Sequence, residues 1–192
     1  MRSGVERLRE HLEILEAMAA DMAEYLPSDV LYWKMSSAWM PMLTLGGYLM
    51  REYRLLTLRD LLDSEEQARL DTAVAQFNQA IEDKVVRFEQ KAKKELGVRT
   101  RQWGRYLDDL RKEPELAGIN YETAVTNRVM ITAMFDRLQT PPYQLDGGLK
   151  ETVETLDKGL RTRWQSGEFV WPADWKPAYP QEKYWWLYGR PH

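Results

Sequence analysis

Apolar residues recur every three or four positions through most of the chain, the period of an amphipathic helix. The first run is the cleanest: Val5, Leu8, Leu12, Leu15, Ala19, Met22 and Leu26 form one seam. Ser3 and Glu6 open it as a capping box, and Pro27 closes it. Its steps alternate between three and four without a miss, the spacing of helices that cross at a shallow angle. The longest stripe covers residues 64–97 and carries Leu70, Val74, Phe77, Ile81, Val85, Phe88, Ala92 and Leu96. Ser64 with Gln67 predicts its start, Gly97 predicts its stop, and no proline or glycine lies between. The pattern therefore predicts one rod, roughly 48 Å long, against which the other elements pack.

Residues 28–39 show no clear period and read as a short turn of helix and a loop. Pro41 suits the first turn of a helix that carries Leu45, Leu49, Tyr53 and Leu56 on one face. Gly46-Gly47 inside it costs about 1 kcal/mol per glycine relative to alanine, which points to a close backbone approach or a ligand there. Further helices are predicted over about 100–112, 120–139 and 149–164, separated by Pro114 with Gly118 and by Thr140-Pro141-Pro142. From Ser166 onward the character changes. Prolines at 172, 177, 180 and 191 forbid a regular helix, and five of the eight tryptophans stand at 164, 171, 175, 185 and 186. A proline-stiffened segment this rich in rings has to lie on apolar surface.

No alternation of strand length appears anywhere, and there is no internal repeat. The expected fold is all-α: an antiparallel helical bundle of about five to six helices with a long central helix, spanning residues 1–165. Residues 166–192 form an extended aromatic, proline-rich strap packed on that bundle, so that the whole is a single domain.

Composition narrows the class. Apolar residues make up 44% and charged residues 30%, ordinary for a soluble globular protein, and the net charge of −3 is too small to imply a partner. The absence of cysteine removes disulfides, zinc–thiolate sites and thiol nucleophiles, and fits a cytoplasmic location. The amino terminus opens on an amphipathic helix instead of a signal peptide. The uncharged stretch over residues 35–50 contains Pro41 and Gly46-Gly47 and falls short of the roughly 20 residues a membrane span needs, so no membrane association is expected.

Candidate chemistry is sparse. His11 and His192 are the only histidines, and neither stands three residues after a glutamate, as the di-metal sites of helical bundles require. No glycine-rich phosphate loop follows a strand. No catalytic residue, metal or cofactor is therefore expected. Glu52 and Arg128 interrupt apolar faces: they either snorkel to water or are buried and paired, with each other or, for Arg128, with an anionic ligand. Together with Met42, Met50, Met130 and Met134, whose thioethers fill cores and also line adaptable grooves, they are the ligand-pocket candidates.

Residues 84–105 carry eight cations against Glu89 and Glu95, inside a chain that is acidic overall. Lys84, Arg87, Lys91 and Lys94 step by three or four along a helix, and Arg99, Arg101 and Arg105 extend the set. Such a ridge is either a solvated face or an anion-binding one, with Trp103 and Tyr106 close enough in sequence to stack on bases. Nucleic-acid binding of this kind weakens steeply with salt. Trp185, Trp186 and Tyr188 are candidates for display to a protein partner. The expected function is that of a binding or interaction module with no catalytic apparatus, assembled as a homodimer and open to a further protein partner. The alternatives are a small-molecule-binding protein or enzyme with a Met- and Trp-lined pocket, and a nucleic-acid or polyanion binder working through the basic ridge.

Overall fold

The computed structural model describes residues 1–192, and the chain is mostly helical with one small two-stranded sheet. Its helices are α1 (Gly4–Tyr25), α2 (Leu45–Thr57), α3 (Ser64–Glu82), α4 (Val85–Lys112), α5 (Pro114–Ile119), α6 (Tyr121–Leu138) and α7 (Gly147–Arg161). The strands are β1 (Trp164–Phe169) and β2 (Tyr188–Pro191), with 3-10 turns at Arg59–Leu61, Ala173–Ala178 and Trp185–Leu187. Contacts cluster into two compact units, Met1–Glu95 and Leu96–His192, so the division falls inside α4. No helix is long and apolar enough to cross a membrane.

In the first unit α1 begins at its capping box: Ser3 Oγ accepts from the Glu6 N–H, and the Glu6 carboxylate accepts from the Ser3 N–H. Leu8, Leu12, Leu15, Met22 and Leu26 are buried along its seam, and α1 packs against α2 and α3.

The rod expected over residues 64–97 is in fact two helices. α3 stops at Glu82, Asp83 and Lys84 turn, and α4 starts at Val85. The rings of Phe77 and Phe88 lie 6.1 Å apart, edge to face. One straight helix would hold residues eleven apart about 16 Å apart along its axis, so only a turn lets these rings meet. Phe77 also stacks on Tyr48 at 3.9 Å. The cap of α3 lies one residue earlier than Ser64, at Asp63, which exchanges two hydrogen bonds of 2.8 Å with Glu66. Gly97 does not stop a helix either. It lies within α4 at negative φ, the only positive φ in the chain belonging to Gly189.

Pro41 does not start α2; Thr44 caps it, accepting from the Gly47 N–H at 2.9 Å. The two glycines thus sit in the first turn, where a Cβ on Gly47 would come within 2.8 Å of Thr44 Oγ1. The free N–H groups of Leu45 and Gly46 each donate to the carboxylate of Glu95 at 2.8 Å. Glu95 is fully buried, and the helix dipole together with these N–H groups stands in for the water it has lost.

The second unit holds residues 96–112 of α4 with α5, α6, α7 and the carboxyl-terminal segment. The aromatic segment packs inward: Trp171, Trp175, Tyr179, Tyr184, Trp186 and Leu187 are all buried. It also holds the one departure from the helical expectation, a small two-stranded sheet. α7 ends at Arg161, and β1 pairs antiparallel with β2, with Trp164 opposite Pro191, Gln165 opposite Arg190 and Ser166 opposite Gly189. The register shifts between Ser166 and Phe169, and a Cβ on Gly189 would run into the carbonyl oxygen of Gln165. So short a pairing, closed by glycine at a close backbone approach, leaves no run of alternating residues to read.

Two outcomes follow. Glu95→Ala leaves two buried N–H groups at the start of α2 without their acceptor, and unfolding in urea is expected to show a loss of about 2 kcal/mol. His11 is half-buried and its Nδ1 accepts from Arg54 Nη1 at 2.9 Å. Burial first, then the guanidinium groups of Arg54, Arg51 and Arg7, hold it well below its ordinary 6.5. A group whose folded pKa is lowered takes up its proton mainly in the unfolded chain, so acidification through 6.5 favours unfolding. Between about pH 7.5 and about pH 5.5 the wild type should lose more stability than His11→Gln, whose side chain still accepts from Arg54 but does not titrate.

Candidate functional site

Residues 26–44, between α1 and α2, contain no helix, yet the chain there is held at every few residues. Lys91 is the main fastening. Its Nζ donates to Ser28 O at 2.8 Å, Ser28 Oγ at 3.1 Å and Val30 O at 2.6 Å, and lies 4.1 Å from the centre of the Tyr25 ring. Those three acceptors use all three protons of an ammonium group. Tyr25 OH donates to Leu31 O at 2.6 Å, and Trp33 Nε1 donates to Asp21 Oδ2 at 3.2 Å. Trp33 and Leu43 exchange backbone hydrogen bonds of 3.0 and 2.8 Å, and Met35 and Leu43 are buried.

This fastened loop presents apolar side chains to solvent. Val30 is 47% exposed, Tyr32 42%, Trp39 58% and Met42 49%. Most of the other large apolar side chains of the unit are inside, so four such residues in one loop form a surface feature that core packing does not explain. Beside them, Ser28, Asp29 and Leu31 form one wall of a groove of about 330 Å³, with Arg87, Gln90, Lys91 and Lys94 on the α4 side. Arg87 and Lys94 point outward without a salt bridge, whereas Lys93 pairs with Glu89 at 2.9 Å. Burial lowers the pKa of Lys91, the neighbouring Lys94 and Arg87 lower it further, and Asp29 works against them.

The residues singled out from sequence fall into different places. Of the basic ridge, Arg87, Lys94, Arg101 and Arg105 are exposed and Lys84 is half-buried. Lys91 is instead an internal fastening, and Arg99 is buried with its Nη1 on Asn127 Oδ1 at 2.9 Å. Trp103 is buried, donates from Nε1 to Asp157 Oδ1 at 3.0 Å and stacks on Tyr106, so it offers no free face to a base.

The bidentate partner of Arg128 is Asp157, not Glu52. Arg128 Nε and Nη2 donate to its two oxygens at 3.0 and 2.8 Å, while Nη1 donates to Thr132 Oγ1 at 2.7 Å. The guanidinium also lies over the Trp186 ring at 4.0 Å, which leaves it no open side for an anionic ligand. Glu52 and Met50 are buried in the first unit and Met134 in the second, where Met130 is half-buried; Met42 faces solvent. Trp186 belongs to the core, whereas Trp185, with Arg161 over its ring at 3.8 Å, and Tyr188, which donates to Tyr179 O, are half-buried. No group of three or more histidine and carboxylate side chains is arranged to hold a metal ion.

The periodicity of the helices gave no notice of Val30, Tyr32 and Trp39. The signal was present in another form: rings and a β-branched residue between Pro27 and Pro41, in a stretch with no period to bury them. Asp157 and Glu95 were also legible, as carboxylates on the faces of Val153–Leu160 and of Ala92–Leu96. Compared with known proteins, the chain matches no family model, no curated protein and no solved structure.

Lys91→Met keeps the packing of the stem and removes the three hydrogen bonds. Since each bond to a charged donor is worth about 1.5 kcal/mol or more, amide exchange across residues 28–43 is expected to accelerate at least about tenfold, with the helical circular dichroism unchanged.

Proposed function

We propose that the protein acts by binding another protein, with no chemistry of its own, and that the loop between α1 and α2 is its docking face. The observation that carries this is the combination of exposed Val30, Tyr32, Trp39 and Met42 with a backbone tied down by Lys91, Tyr25 and Trp33. A mobile loop with exposed rings would lose conformational entropy on binding, whereas a fastened one has already lost it. Tryptophan, tyrosine and arginine are the side chains that dominate binding energy at interfaces, and Trp39, Tyr32 and Arg87 lie on or beside this face. In this reading the helices stack as an antiparallel bundle that serves as a rigid mount for the loop.

The size of the face sets the type of partner. Four apolar side chains and a short groove supply less than the roughly 800 Å² per partner of a stable interface, which favours a segment of a partner chain over an obligate subunit. A homodimer built on this face is disfavoured, because a two-fold interface sets each patch against its own image and brings Arg87 and Lys94 toward like charges.

The test is Trp39→Ser with Met42→Ser in the full chain. A partner retained by the wild type on native mass spectrometry or cross-linking should be lost from the double variant, whose helical content is unchanged. Loss of the Trp39 anchor is worth about 2 kcal/mol, roughly thirtyfold in affinity. Equal retention by both proteins, or a homodimer that survives both substitutions and excludes other partners, rejects the proposal.

A further inference from the structure

We infer that the partner segment received by this face is acidic, with its carboxylates seated at Arg87 and Lys94 and its apolar side chains on Val30 and Tyr32, the exposed chain neighbours of Asp29 and Leu31 in the groove wall. The inference rests on the docking reading above and gives it a chemistry. Arg87 and Lys94 are seven residues apart on α4, two turns and about 10.5 Å along the axis, so both project from nearly the same face. Neither is neutralised by a carboxylate of its own chain, while Lys91 between them is fully engaged with Ser28 and Val30. Arg87, Lys91 and Lys94 outnumber the single carboxylate of the groove, Asp29, so that in a chain whose net charge is −3 they make a local positive field that a further carboxylate relieves. Carboxylates three residues apart on a polyproline-II segment share one side and are spaced by about 9 Å, close to the span from Arg87 to Lys94.

A phosphate polymer fits the same groove less well. Asp29 stands on the opposite wall and repels any anion beside it; a peptide can keep spaced carboxylates on the α4 wall and offer Asp29 its backbone N–H groups, whereas a phosphate polymer carries a charge at every unit. Tyr32 and Trp39 of the loop can stack on bases as well as on side chains, but the exposed aliphatic Val30 and Met42 are matched by apolar side chains that a peptide supplies and a nucleic acid does not.

The experiment uses the full chain and three labelled ligands followed by fluorescence anisotropy: a Glu-Leu-Ser repeat peptide, the matching Gln-Leu-Ser peptide, and an oligothymidylate. The glutamate peptide is expected to bind at least about tenfold more tightly than its glutamine counterpart. That advantage should shrink as salt is raised and vanish in Arg87→Glu with Lys94→Glu, exposed positions at which circular dichroism should report an intact fold. The inference is overturned by equal affinity for the two peptides, by failure of both to bind, by an advantage that survives the double reversal, or by oligothymidylate binding as tightly as the glutamate peptide. If one of these results appears while the wild type still holds a Trp39-dependent partner, docking stands and only the acidic assignment falls. If no Trp39-dependent partner exists, the docking reading fails on its own account.

Discussion

An ammonium group taken out of water must find oxygen, and the amino-terminal half of the protein is arranged around the place where Lys91 finds it. Lys91 is 7% exposed, and an uncompensated charge at that depth costs several kcal/mol. Ser28 and Val30 satisfy it with two backbone carbonyls and a hydroxyl, and Tyr25 adds the face of its ring. The helix holds the cation in place, so the chain has to come to it. Once Ser28 and Val30 are fixed there, Val30 and Tyr32 are turned to solvent, and Trp33 reaches both Asp21 and Leu43. A loop that spans residues 26–44 would otherwise be free to vary, and this buried charge orders its first part, as the Trp33–Leu43 pair and buried Met35 order the rest.

The same device recurs on a larger scale. Glu95, one turn further along α4, is buried by the opening turn of α2. In the second unit Asp157 serves Arg128 and Trp103 at once, and the Arg128 guanidinium is covered by Trp186. Lys91 is completed by hydrogen bonds and a ring face, Glu95 by the N–H groups of a helix end, and Arg128 and Asp157 by each other, the condition under which burial is tolerated. Such groups add little net stability over apolar replacements. Their effect is to make misplacement expensive, because a shifted partner leaves a charge stranded. Ion pairs at the surface, such as Arg59 with Asp71, carry no comparable penalty and contribute little.

Placing charge inside leaves its mark outside. Lys91 is withdrawn from the basic ridge to hold the loop, and the cations that remain at the groove, Arg87 and Lys94, are those without a partner in their own chain. A fixed apolar loop and a pair of open cations thus stand next to each other for a single structural reason. At Ser28 and Val30 the backbone carbonyls of the loop are turned toward α4, and the Val30 side chain is exposed. The rim is cationic because only the middle member of the ridge is needed by the loop.

What could be read from the chain alone is the local part of this structure. The seam of α1, the capping box at Ser3, helices over about 120–139 and 149–164 (the second ends at Arg161, before β1) and the burial of the aromatic segment follow from period, caps and ring content, all properties of neighbours in sequence. The turn at Asp83-Lys84 did not follow, because the contact of Phe77 with Phe88 that it permits is made only in the folded chain, and no glycine or proline announces it. Nor did the pairing of β1 with β2, which joins residues far apart in sequence over too few positions to alternate. Arg128 was recognised as an interruption of an apolar face, but its partner lay on another helix, and Lys91 looked like one more cation of a ridge. The period of a helix states which side of it is apolar. It is silent on which of several charges at the border of that side will be drawn inward, since this depends on where oxygens from distant segments come to lie, and only tertiary packing decides that.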